Sequence, residues 1–140
     1  MDPRFLPHNS HLQYPHQFAE RDPQLQKLYQ QRYIYESPLL DQFPMDISGI
    51  YAITGGRQVG KTTLIKQWMA KLLSKNITPQ AIAFFSGELI EDYHVLLNLL
   101  QNQLAAMPRD CMRYLLLNAF PGSTRQGKYR RFSSLSTIIC

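Results

Sequence analysis

Gly55-Gly56-Arg57-Gln58-Val59-Gly60-Lys61-Thr62-Thr63 is the stretch on which the reading of this chain turns. Gly55, Gly60, Lys61 and Thr62 fit the pattern G-x-x-x-x-G-K-[ST]. Chance supplies those four fixed positions in a chain of this size with a probability of roughly one in two hundred. Each position has a physical job. The glycines permit backbone angles that turn successive N–H groups inward, and those donors, with a following helix N-terminus, cradle phosphate oxygens. Lys61 would reach the β- and γ-phosphates of a nucleotide, and Thr62 would offer its hydroxyl to Mg²⁺. The plainer alternative is a glycine turn joining a strand to a helix, with a surface lysine.

The flanks decide between them. Residues 49–54, GIYAIT, form a short apolar run that suits a strand buried on both faces. Residues 62–75 repeat Leu64/Ile65, Trp68/Met69 and Leu72/Leu73 at intervals of four, an amphipathic helix with Lys66, Gln67, Lys71 and Lys75 on its wet side. A second buried strand follows over 81–85. A second helix over 88–107 carries Leu89, Tyr93, Leu96, Leu97, Leu100 and Leu104 on one stripe and ends at Pro108. A third strand is expected over 112–117. Strand, helix, strand, helix, strand makes an α/β fold with a parallel sheet and flanking helices. Upstream, Asp22 before Pro23 is an N-cap for a helix over 23–35 that Ser37-Pro38 ends.

The composition narrows the rest. A hydrophobic content of 44% in 140 residues is that of one small globular domain. No apolar run approaches the ~20 residues that span a bilayer, and the N-terminus lacks the apolar core of a signal peptide. A cytoplasmic protein without a membrane partner is expected. Cys111 and Cys140 have no metal-type spacing and read as free thiols. Residues 1–17 are proline- and histidine-rich without periodicity, which reads as a flexible arm. A metal shared by His8, His11 and His16 is the lesser alternative to solvated histidines there. Four of the five net positive charges come from Arg125, Lys128, Arg130 and Arg131 in an acid-free C-terminal stretch, so the basic excess belongs to the tail.

The segment GIYAITGGRQVGKTTLIKQW closely resembles the TGxRQVGKTTL loop of prokaryotic AAA-family ATPases, a group that often carries a nuclease-like C-terminal domain of unknown function. The likeness extends upstream to RDPQLQKLYQ and downstream through FFSGE and the leucine-rich second helix, about residues 18–117 in all. Gly56 stands where many relatives have proline. The resemblance implies that Gly55, Gly56, Arg57, Gln58, Val59, Gly60, Lys61, Thr62 and Thr63 bind the triphosphate of ATP and that Thr62 holds Mg²⁺. It also implies a protein partner, of unknown identity, driven by ATP turnover.

A hydrolysing enzyme of this kind needs an acidic pair after a buried strand, one acid for Mg²⁺ and one to polarise the attacking water. Here the strand Tyr114-Leu115-Leu116-Leu117 is followed by Asn118-Ala119. Asn118 keeps the shape of Asp without its charge, and Ala119 cannot act as a base. Hydrolysis is therefore expected to be weak or absent, with no catalytic residue assigned. Glu88, after the second strand, could orient a water, although a helix-start acid is its duller role. Asp110 precedes the third strand, at its wrong end. The pattern of the family is expected to break off after the third strand, giving the N-terminal part of a P-loop sheet. Three stretches result: the arm 1–17, a partial AAA-type domain 18–118, and a basic disordered tail 119–140.

Two further functions compete. The tail basics with Tyr129 and Phe132 interleaved could bind nucleic acid through phosphates and stacking. A small-molecule kinase would need an acceptor-binding group near the second strand, where Ser86, Gly87 and Glu88 are the candidates.

Overall fold

The computed structural model describes residues 1–43, 45–53 and 60–118, and the backbone of 136–139. Within them lie four strands, β1 (Ile50–Ile53), β2 (Ile82–Phe85), β3 (Tyr114–Leu117) and β4 (Ser136–Ile139). Four helices accompany them, α1 (Phe18–Arg21), α2 (Pro23–Tyr29), α3 (Lys61–Ser74) and α4 (Tyr93–Ala106). The strands form one sheet of order β1-β4-β3-β2. β2 and β3 are parallel, with Ile82 opposite Tyr114 and Phe85 opposite Leu117. β4 runs antiparallel to both β1 and β3, so β1, β2 and β3 all point the same way. This is the expected α/β arrangement with parallel strands and flanking helices. Where a disordered tail is expected over 119–140, Ser136–Ile139 form a strand inside the sheet, because their backbone pairs with both β1 and β3; residues 119–135 and Cys140 lie outside the described residues.

Successive side chains of a strand point to opposite faces, and β2 and β3 use both. Ile82, Phe84, Tyr114 and Leu116 face a core built with Ile65, Trp68, Met69 and Leu72 of α3, Leu25 and Leu28 of α2, and Phe18 of α1. Trp68 is central there, edge-on to both Phe43 and Tyr114. Ala83, Phe85 and Leu115 face a second core with Leu99 of α4, Met107, Ile90 and Phe5. All four residues of β2 are buried, as a strand covered on both sides requires. β1 differs from the expectation of two buried faces. Tyr51 and Ile53 pack toward α3, but Ile50 and Ala52 are exposed, because α4 covers β2 and β3 rather than the far side of β1.

Two helix boundaries move, each for a local reason. α2 stops at Tyr29 rather than Tyr35, since beyond Leu28 the residues Tyr33, Ile34 and Tyr35 bury nothing, and short helices hold only through packing. α4 starts at Tyr93 rather than near Glu88, because the Asp92 side chain accepts from the Val95 N–H at 2.9 Å and caps it. Its inner stripe is accordingly Val95/Leu96, Leu99/Leu100 and Leu104, while Tyr93, Leu97 and Leu89 are exposed.

The largest correction concerns the arm. Instead of a loose segment, residues 3–17 form three short 3-10 turns, Pro3–His8, Ser10–Leu12 and Pro15–Gln17, laid along β2. β2 is an edge strand, so its outward peptide groups need partners. Asn9 supplies an amide in place of a neighbouring strand: its Nδ2 donates to the Phe84 carbonyl at 2.7 Å, and its Oδ1 accepts from the Phe84 N–H at 2.7 Å. His11 Nε2 donates to the Ile82 carbonyl at 2.9 Å. Phe5 closes the contact edge-to-face on Phe85, with ring centroids 5.1 Å apart.

Candidate functional site

The junction between β1 and α3 sits at the end of the sheet toward which β1, β2 and β3 all run, where open α/β sheets bind ligands. Gly55, Gly56, Arg57, Gln58 and Val59 lie outside the described residues; Gly60, Lys61, Thr62 and Thr63 are described. Gly60 has φ +82°, in the left-handed region that penalises any Cβ. Among the described residues nothing lies within 4 Å of where that Cβ would sit, and the backbone angle itself asks for glycine.

α3 opens directly after it. Among the described residues no side chain caps this helix and no acid lies in its first turn, in contrast to α2 and α4, which Asp22 and Asp92 cap. A helix start left without a carboxylate or hydroxyl presents its N–H groups and the positive end of its dipole to an incoming anion. Lys61 is the first helical residue and is 8% exposed, while Thr62 and Thr63 are half-buried.

Across the sheet end, Asn118 follows β3. Its N–H donates to the Phe85 carbonyl at 3.1 Å, and its Oδ1 accepts from the Gly87 N–H at 2.8 Å. Asn118 therefore staples the end of β3 to the turn after β2. One lone pair of its amide oxygen is committed there. Ser86 is buried in that turn and Glu88 is exposed on it. Asp110 is exposed before β3, at the opposite end of the sheet. Ala119, Arg125, Lys128, Tyr129, Arg130, Arg131 and Phe132 lie outside the described residues. Among the described residues no group of three His, Cys, Asp or Glu is placed to hold a metal ion, and His11 is instead bonded to β2.

The sequence reading missed Lys66. Expected on the wet side of α3, it is buried: its Nζ pairs with Asp22 Oδ2 at 2.9 Å and donates to the His8 carbonyl at 2.6 Å. It also stands 4.1 Å from the centre of the Phe84 ring, a cation–π contact. Burial pulls the ammonium below its ordinary pKa while the Asp22 charge opposes that shift. Asp22 keeps its expected role as well, its Oδ1 accepting from Gln24 N–H at 3.0 Å and Leu25 N–H at 3.3 Å. His8 is pushed down by burial and by Lys66, and His11 is pushed down by burial to about 4. Lys71, also expected to be wet, is partly exposed and pairs with Asp41 at 2.8 Å.

A parallel strand pair, a glycine-to-helix junction at its ligand-binding end and a polar residue closing the third strand define a P-loop ATPase-like α/β fold. A family model described as an AAA domain matches residues 48–118, just over half of the chain, and the chain belongs to that family. The matched span runs from just before β1 to Asn118 and leaves residues 18–47, α1 and α2 among them, outside it. Neither the curated proteins nor the solved structures contain a match to this chain. The family is nucleotide-binding and AAA-like in character. Among the described residues no helix is long and apolar enough to cross a membrane.

Proposed function

We propose that this chain binds MgATP through Gly55–Thr63 and turns it over slowly or not at all. The observation that carries the reading is the start of α3: a left-handed Gly60, a nearly buried Lys61 at the first helical position and, among the described residues, no side chain capping the helix. Membership of the AAA domain family supports it. Lys61 would meet the β- and γ-phosphates, and the first helical N–H groups would meet their oxygens.

The donors for a magnesium ion fit in part. Thr62 offers a hydroxyl on the first turn, and Asn118 has an amide oxygen with two lone pairs, one of them bonded to the Gly87 N–H. Magnesium keeps several waters and relies on few protein groups plus substrate phosphates, which such a sparse set allows. Neither Asn118 nor Ala119 can take a proton from water, and this supports slow hydrolysis. A protein partner and a cytoplasmic setting go with the reading.

Phosphate release at saturating MgATP tests it. Release at about 1–100 s⁻¹, the typical range of kinases, would refute the slow-turnover half. The Lys61→Ala variant should lose nucleotide binding. Salt-dependent DNA binding that disappears with residues 119–140 would favour the nucleic-acid alternative instead. Phosphate transfer to a small acceptor, in place of release, would favour a kinase.

A further inference from the structure

One ammonium group joins the arm to the helix that opens the candidate site. Lys66 lies five residues after Lys61, about 7.5 Å further along the axis of α3. Its Nζ holds Asp22 at the head of α2, the His8 carbonyl in the arm and the face of Phe84 in β2. On the other side of the same turn of chain, Asn9 and His11 fasten the arm to the edge of β2. The docked arm is thus tied both to β2, through Asn9 and His11, and to α3, through Lys66.

We propose that residues 3–21 form a strap whose docking is coupled to nucleotide occupancy at the start of α3, through the Lys66–Asp22–His8 clamp. The inference rests on the nucleotide reading above. A phosphate bound at the first turn of α3 fixes that helix, and a fixed helix holds Lys66 in the clamp. Reciprocally, a docked strap holds α3 in place for the phosphates, because coupling between two binding events works equally in both directions. The clamp suits a reversible device. Burying an ion pair gains little net stability, since each charge gives up its water, and on release Lys66 and Asp22 recover it. The strap itself consists of short 3-10 turns, which open more readily than long ladders of hydrogen bonds.

Hydrogen exchange of residues 3–17 in the full chain, with and without saturating MgATP, tests the coupling. MgATP should slow arm exchange by about fivefold or more. The Asn9→Ala substitution removes the two bonds to Phe84 without touching α3, and with His11→Ala, which removes the bond to Ile82, it should weaken MgATP affinity by a similar factor. Asp22→Asn, which keeps the helix-capping oxygen and removes the charge, should do the same. Should that variant fail to fold, wild-type exchange and the Asn9→Ala, His11→Ala double variant decide the matter. Unchanged arm exchange while MgATP binding is seen independently would overturn the strap and leave the nucleotide site standing. An affinity of the Asn9→Ala, His11→Ala double variant within twofold of wild type would also overturn the strap alone. No MgATP binding by the wild-type chain would overturn both.

Discussion

Lys66 and Asp22 form an ion pair of 2.9 Å with side chains only 3% and 2% exposed. Two charges so far out of water are tolerable only together. The carboxylate is further satisfied by two N–H groups of α2, and the ammonium by the His8 carbonyl and the Phe84 ring. The pair joins three segments that are distant in sequence: the arm, the head of α2 and the second turn of α3.

Lys66→Ala should therefore be among the more damaging single changes in the chain. Removing one partner strands the other charge, at a cost of about 3–5 kcal/mol. Urea unfolding should show this loss, and Lys66→Met combined with Asp22→Asn should recover much of it. Equal stability of Lys66→Ala and wild type would mean that the pair is solvated.

Asn9→Ala should cost about 1–3 kcal/mol for each backbone group of Phe84 left without a partner. The same change opens the edge of β2, so concentration-dependent self-association should rise in light scattering. Asn9→Asp tests the geometry separately: it keeps the acceptor for the Phe84 N–H but sets a carboxylate against the Phe84 carbonyl.

His11 makes arm docking sensitive to pH. In the folded chain its pKa falls to about 4 from the ordinary 6.5, because burial penalises the imidazolium. Between those values the unfolded chain binds more protons than the folded one, so stability rises with pH. The contribution is full above about pH 6.5 and is lost as pH falls toward 4, on the order of 3 kcal/mol in all. His8, lowered for the same reason, acts in the same direction. Unfolding curves from pH 7 to 4 should show the slope, and His11→Gln should flatten it.

Asn118 is where hydrolysis is expected to fail. Its side chain holds the Gly87 N–H at 2.8 Å, and an aspartate could make that same contact while adding a charge. Asn118→Asp with Ala119→Glu should raise phosphate release by about a hundredfold or more, the usual scale of a catalytic acid or base. No increase in a variant that still binds nucleotide would place the defect elsewhere.

Much of the fold was legible because its elements carry strong local patterns. The runs 82–85 and 114–117 are apolar enough to read as covered strands, and the four-residue repeat of α3 identifies its inner face. Both Asp22 and the start of α3 could be read from capping rules and the glycine–lysine spacing. The arm could not. Asn9, His11 and Lys66 are polar residues whose burial depends on partners far away in the chain, and local periodicity holds no trace of such contacts. Lys66 borders the stripe of Ile65, Met69 and Leu72, which hints at burial, but its carboxylate sits before α2. The exposed face of β1 was hidden for a related reason: a short apolar run does not tell whether a helix covers both of its sides.

The central claim is that the start of α3 holds the phosphates of a nucleotide, and the direct measurement is equilibrium binding of MgATP to the full chain and to its Lys61→Ala variant. Saturable one-to-one binding by the wild type, lost or weakened at least about tenfold in a variant of unchanged fold, is the expected result. Equal binding by the two chains, or none by the wild type, would contradict it.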